Sequence, residues 1–177
     1  LVRIEKEKEE AAVNQRIKSA LDVCNANVMM ADPDLDLVYT NTSVKKMLKH
    51  AESDIQKDLP KFDAENLIGV NIDSFHKNPS HQRNMLKGLT QSYKTQILVG
   101  GRTFNLIATP VFNDTNERLG TVVEWVDATE ELIRLAEEKR IADENTRVRL
   151  ALDVCSANTM IADNDLDVIY TNEAVSQ

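Results

Sequence analysis

The chain is poor in aromatics, glycine and cysteine: Phe, Trp and Tyr make up 5% of its 177 residues, with 5 glycines, 2 cysteines, 3 histidines and a single tryptophan. So few glycines build no phosphate-cradling loop, no nucleophile is paired with a base and no carboxylate pair is seen, so the chain is expected not to be an enzyme. No run approaches the roughly 18 apolar residues of a membrane-spanning helix, and the charged start LVRIEKEKEE is no signal peptide. Basic residues are outnumbered 21 to 29 by acidic ones, giving a net charge of −8 and a pI near 4.9. That field repels phosphate backbones and anionic headgroups, which argues against nucleic acid and membrane surfaces as partners; a cytoplasmic location is expected instead from the cysteines.

What the chain does have is a repeat. Residues 20–44, ALDVCNANVMMADPDLDLVYTNTSV, return as ALDVCSANTMIADNDLDVIYTNEAV at 151–175, with 17 identities in 25 at an offset of 131. Such self-similarity sets architecture before any propensity argument. It divides the chain into a connector helix at 1–24, one complete module at 25–128, a coiled-coil-like connector at 129–155 and the opening of a second module at 156–177, with Gln177 expected to be a cut end. Cys24 and Cys155 hold equivalent positions in the two copies. This speaks against a disulfide and predicts two reduced, half-buried thiols of an intracellular protein.

In the connector helix ahead of the first module, Val13, Ile17, Ala20 and Cys24 are spaced 4, 3 and 4, a narrow seam that predicts a helix pairing with another chain. VMMAD and LDLVYTN read as two strands across the turn at Asp32-Pro33-Asp34. From Thr42 to Leu67 scattered Val44, Met47, Leu48 and Ile55 predict short helices and loops. Asn78-Pro79-Ser80 reads as a capped helix start with Met85, Leu86 and Leu89 on its buried face. Three strands follow as a meander: SYKTQILV, a Gly100-Gly101 turn, RTFNLIATPVF, a polar turn, and RLGTVVEWVD. Asp127 with Glu130 reads as a capping-box-like start to the charged helix from Thr129 to Cys155.

That order of elements resembles the PAS fold, and Asp127-Ala128-Thr129 resembles the family's Asp-x-Thr exit motif into a signalling helix. The resemblance covers roughly residues 20–130. It implies an α+β domain whose five-stranded antiparallel sheet and short helices enclose a ligand pocket, of the kind found in tandem in bacterial chemoreceptors and sensor kinases.

The chemistry-bearing segment is NIDSFHKNPSHQRNML, residues 71–86. His76 and His81 are five apart with Pro79 between them, so they cannot share one helix face as a two-histidine zinc site requires, and His50 is remote. One imidazole in an apolar pocket suits haem, which fills its own equatorial positions and asks the protein for a single axial ligand. The segment resembles the haem-binding PAS domains of soluble oxygen-sensing chemoreceptors. Carried over by position, the resemblance makes His76 the axial ligand of haem b, with His81 as fallback. It also implies Trp125 as donor to bound oxygen or another diatomic gas, and Leu106 as distal packing. Alternation places Thr121, Val123 and Trp125 on one face of the last strand, and Phe104, Leu106 and Ala108 on one face of the strand before it. Those sets would line the pocket together. Lys77, Arg83 and Lys87 could pair with propionates, although surface solvation suits each better.

The resulting expectation is a gas sensor that passes ligand state through Asp127-Ala128-Thr129 to the following helix. As partners it implies a parallel homodimer through the flanking helices and neighbouring PAS or signalling modules. Two alternatives remain open: a cofactor-free PAS module that dimerises and relays signals, and a flavin (FAD) redox sensor, which would leave His76 and Trp125 without a task.

Overall fold

The computed structural model describes residues 2–76 and 79–176. Asn78, the expected helix cap, and Lys77 lie outside the described residues, as does Gln177. The chain divides into two compact units at Thr129/Glu130.

The first unit opens with helix α1 (Val2–Asp22), followed by strands β1 (Asn27–Ala31) and β2 (Leu37–Thr40). Between the strands, Asp32 Oδ1 accepts hydrogen bonds from the N–H groups of Asp34 and Asp36, and Leu35 takes a left-handed conformation with φ 73°. An aspartate that bonds the backbone two residues on is the local reason for this turn. Leu35 is nevertheless buried, so the turn folds back on the core.

Helix α2 (Thr42–Ile55) corrects the expectation of short helices at this point. Val44, Leu48, Ala51 and Ile55 are all buried on one face. Ala51, uncounted in the sequence reading, completes their 4-3-4 spacing into a single amphipathic stripe. A 3₁₀ turn (Ile72–Phe75), helix α3 (Pro79–Gly88) and the expected meander of β3 (Tyr93–Val99), β4 (Arg102–Phe112) and β5 (Arg118–Asp127) follow. Gly100 and Gly101 both have positive φ, as the two-residue hairpin turn demands.

The five strands form one antiparallel sheet in the order β2-β1-β5-β4-β3, the architecture the PAS resemblance implies. β5 therefore lies at the centre, between β1 and β4. The core is packed on one face of the sheet by α2 and the segment around Phe62, Ala64 and Leu67, with Phe104 among its most buried side chains.

Helix α4 (Thr129–Asp153) begins at the end of β5. Asp127 Oδ1 accepts the N–H and the hydroxyl of Thr129, so the bond that starts the helix goes to Thr129 and not to Glu130. The second unit holds the rest of α4, the hairpin of β6 (Met160–Ala162) with β7 (Val168–Thr171), and a short 3₁₀ turn. Both cysteines are free and exposed, not half-buried as expected. Each sits just beyond the end of its helix, where the thiol donates to the carbonyl four residues back, Ala20 or Ala151, and no apolar side covers it.

Candidate ligand cavity

β4 and β5 pair with Leu106 opposite Trp125 and Ala108 opposite Val123. Because successive strand residues point to opposite faces, this register puts one residue set from each strand on a common inner surface. A cavity of about 300 Å³ opens against that surface. It lies at the lower end of the 300–1,000 Å³ range of small-molecule sites, about what such sites require. Phe104, Leu106, Val123 and Trp125 all line it, as do both His76 and His81. The alternate residues Asn105, Ile107, Val122 and Glu124 do not. Leu48 and Ile55 of α2 close part of the opposite side, so helix and sheet share the cavity wall.

Two polar groups of this apolar cavity stand out. The indole Nε1 of Trp125 is buried and has no hydrogen-bond partner among the described residues. The ring is held edge-on to Phe104, with centroids 5.7 Å apart and planes at 72°. A buried donor left unpaired costs about 1–3 kcal/mol, so the site as built lacks an acceptor.

The second group is His76, which ends the 3₁₀ turn in extended backbone. Its Nδ1 lies 2.7 Å from the carbonyl oxygen of Ile72. A carbonyl only accepts, so Nδ1 carries the proton. In the neutral ring Nε2 is then left with its lone pair free. This is the arrangement found in metal-ligating histidines, where the second nitrogen donates to a carbonyl and fixes both tautomer and ring orientation. His81 also reaches the cavity, from the first turn of α3, but it is exposed and has no such tether among the described residues.

These residues fit a haem: one oriented imidazole lone pair, an apolar enclosure, and an orphaned donor. No group of three or more metal-binding side chains occurs among the described residues. Of the cations considered for propionates, Lys87 is exposed, as solvation predicts, whereas Arg83 departs from that expectation by pairing with Asp73. Asp73 lies in the 3₁₀ turn that ends at His76, so the pair ties α3 to the histidine's own turn.

Sequence reasoning missed two residues that fasten the elements around the cavity. Asn41 is wholly buried and works in three directions. Its Oδ1 accepts from Val44 N, capping α2, and from Val28 N on β1, while its Nδ2 donates to the carbonyls of Leu21 and Ala26. Asparagine ahead of Thr-Ser-Val was a legible cap signal. Arg102 donates from Nε to Asp54 at 2.6 Å and from Nη1 to Asp127 at 2.8 Å. Nothing local marked it, because its partners lie 48 and 25 residues away. Hydrogen bonds from Lys57 and then Arg102 hold the Asp54 carboxyl down to about 2. Burial pushes Asp127 up, but bonds from Thr129 and Arg102 together outweigh it and leave that carboxyl lowered.

No family model matches the chain. Over 121 residues, 68% of this chain, it is 59% identical to the methyl-accepting chemotaxis protein McpB of Pseudomonas aeruginosa, and it spans 18% of that relative. Among solved structures, the Aer2 receptor from Vibrio cholerae, described as a dual PAS-haem oxygen sensor, superposes with a TM-score of 0.54. It is 36% identical, over 59% of this chain and 95% of that one. An RNA-binding light-oxygen-voltage receptor shares the fold alone, at 16% identity and a TM-score of 0.50 over 75% of this chain and 38% of that one.

Proposed function

This chain belongs to the PAS domain family, and we propose that it is a haem-based oxygen sensor of a chemoreceptor, with His76 as axial ligand and Trp125 as the donor to the bound gas. The observation that carries this reading is the orphaned Nε1–H of Trp125, buried in a cavity also lined by His76. The relationship to a PAS-haem oxygen sensor and to a chemotaxis receptor supports it. Haem, held by His76, would supply an iron able to bind a diatomic gas.

The chain's own residues define the remaining work. The carbonyl of Ile72 holds the His76 ring with Nε2 available. Phe104, Leu106 and Val123 keep water from the cavity, which strengthens any hydrogen bond made inside it. Trp125 offers a donor with no partner among the described residues. Because Trp125 and Asp127 are two residues apart on β5, a pull on the indole reaches the start of α4 through two peptide units. A ligand biases that helix only by its difference in affinity for the helix's two states, typically worth about 1–3 kcal/mol. One hydrogen bond supplies a difference of that order. The flanking helices α1 and α4 carry exposed apolar residues, among them Val13, Ile17, Leu132 and Leu135, which suit parallel pairing with a second copy. No described helix is long and apolar enough to cross a membrane.

Reconstitution with haem tests the reading. The expected result is a Soret band that His76→Ala abolishes and His81→Ala retains. Trp125→Leu should keep the band while oxygen affinity falls and autoxidation accelerates. No band after haem addition would sink the proposal, and a flavin spectrum from the purified protein would replace it with the redox reading. Loss of the band in His81→Ala alone would move the ligand to α3.

A further inference from the structure

Helix α2 is fastened at both ends to the two helices that enter and leave the first module. At its N-terminus Asn41 caps the helix through Oδ1 while its Nδ2 holds the Leu21 carbonyl in the last turn of α1. Beside it, Tyr39 donates to Asp22, the final residue of α1, at 2.8 Å. At the C-terminal turn, Asp54 is joined through Arg102 to Asp127, the same carboxylate whose other oxygen starts α4 at Thr129. The join is close. A Cβ on Gly100 would stand 1.8 Å from the Asp54 carbonyl oxygen, and Gly100 N–H donates to Asp58 just beyond the helix. Thr103, next to Arg102, completes the seam, donating to Thr129 Oγ1 and accepting from Ala128 N–H.

From these contacts we infer that α2 is a transmission rod, with Asn41 and Arg102 as its positioning residues, carrying displacement of the incoming helix directly to the start of the outgoing one. Fourteen helical residues span about 21 Å, and a helix buried along one face moves as a unit. The planar guanidinium suits the far end because its fork meets two carboxylates in fixed geometry. Leu48 and Ile55 of the same rod line the cavity. Upstream helix position and cavity occupancy therefore act on one element, and by linkage each changes the free energy of the other. The device works without any ligand and does not rest on the haem reading. It differs from the β5 route, which starts at Trp125.

Residue-resolved amide exchange on the ¹⁵N-labelled 177-residue chain, without haem, tests it. Asn41→Ser keeps a good helix cap but deletes the tether to α1. It should raise exchange at the Thr103, Ala128 and Thr129 amides by about fivefold or more, the lower end of measured couplings, beyond any rise at β3 amides, which report general loosening. In an Arg102→Gln background the same substitution should add no increase at those three amides, because the rod is already uncoupled. If Asn41→Ser does not fold, Tyr39→Phe replaces it with the same pattern expected at smaller amplitude. The inference is overturned if the junction amides change no more than β3, or if the two substitutions act additively.

Discussion

The two copies of the repeat fold to the same hydrogen-bonded joint and to opposite burial. In both, an aspartate at the end of a helix accepts from a tyrosine, Tyr39 to Asp22 and Tyr170 to Asp153. In both, a buried asparagine gathers the helix end and the first strand: Asn41 holds Leu21 and Ala26 carbonyls and Val28 N–H, Asn172 holds Leu152, Cys155 and Ala157 carbonyls and Thr159 N–H. Both turns rest on an aspartate and a left-handed leucine, Leu35 and Leu166. Yet Met29 is 6% exposed and Met160 58%, and Leu35 is 3% exposed against 82% for Leu166. β1 is paired on its second edge by β5, whereas β6 pairs only with β7 among the described residues. The joint is thus encoded locally, within about 25 residues, while burial comes from distant strands and helices. Hydrogen bonds between near neighbours need no completed core.

Substitutions at equivalent positions should separate these two contributions. The largest asymmetry is expected for Asn41→Ala against Asn172→Ala. Removing the cap, stranding the Ala26 carbonyl and the Val28 N–H, and leaving the Leu21 carbonyl to Cys24 N–H alone in Asn41→Ala should destabilise the first unit by on the order of 3 kcal/mol. Urea unfolding followed by Trp125 fluorescence reads this cleanly, since the one tryptophan lies in the first unit. Asn172→Ala should leave that curve unmoved, and equal shifts would mean the two units unfold together. Met29→Ala should cost about 3 kcal/mol as a core truncation. Met160→Ala should stay within about 0.5 kcal/mol, both read from circular dichroism melts.

Acid sensitivity comes next. The Asp54 carboxyl, ordinarily near 3.8, is depressed to about 2 by Lys57 and Arg102. Its contribution is therefore full above the unfolded value and lost as pH falls from about 4 toward 2. Arg102→Gln should flatten the dependence of the urea midpoint on pH across that window, and an unchanged slope would remove the bridge from the acid response. The smallest effect is shared by the copies. Burial, then the hydrogen bond to aspartate, raises both Tyr39 and Tyr170 to about 12. A phenol ionising late in the folded state stabilises it below pH 10 and loses that contribution as pH rises toward 12. Ultraviolet titration should show one late-ionising phenol fewer in Tyr39→Phe and likewise in Tyr170→Phe.

How far sequence carried the reading follows the same division between local and distant. The meander, its Gly-Gly turn and the two-strand opening were legible because their signals sit in the residues that form them. The single 14-residue α2 was not, because a lone alanine completes its stripe and alanine attracts no notice. Strand alternation put Phe104, Leu106, Val123 and Trp125 on one wall, and the cavity lies against that wall. The tether of His76 to Ile72 and the double bond of Arg102 depend on turns and crossings that no spacing announces. The half-burial expected of the cysteines failed for the converse reason: an apolar helix seam is buried only where something covers it.

The local joint also bears on how such a chain could change its length. A recombination that exchanges residues 20–44 for 151–175, or the reverse, leaves the aspartate, tyrosine and asparagine bonds of the joint matched, because Asp, Tyr and Asn recur at the same places in both segments. Gain or loss of whole 131-residue units would then cut through the chain at its best-made seam and leave no scar.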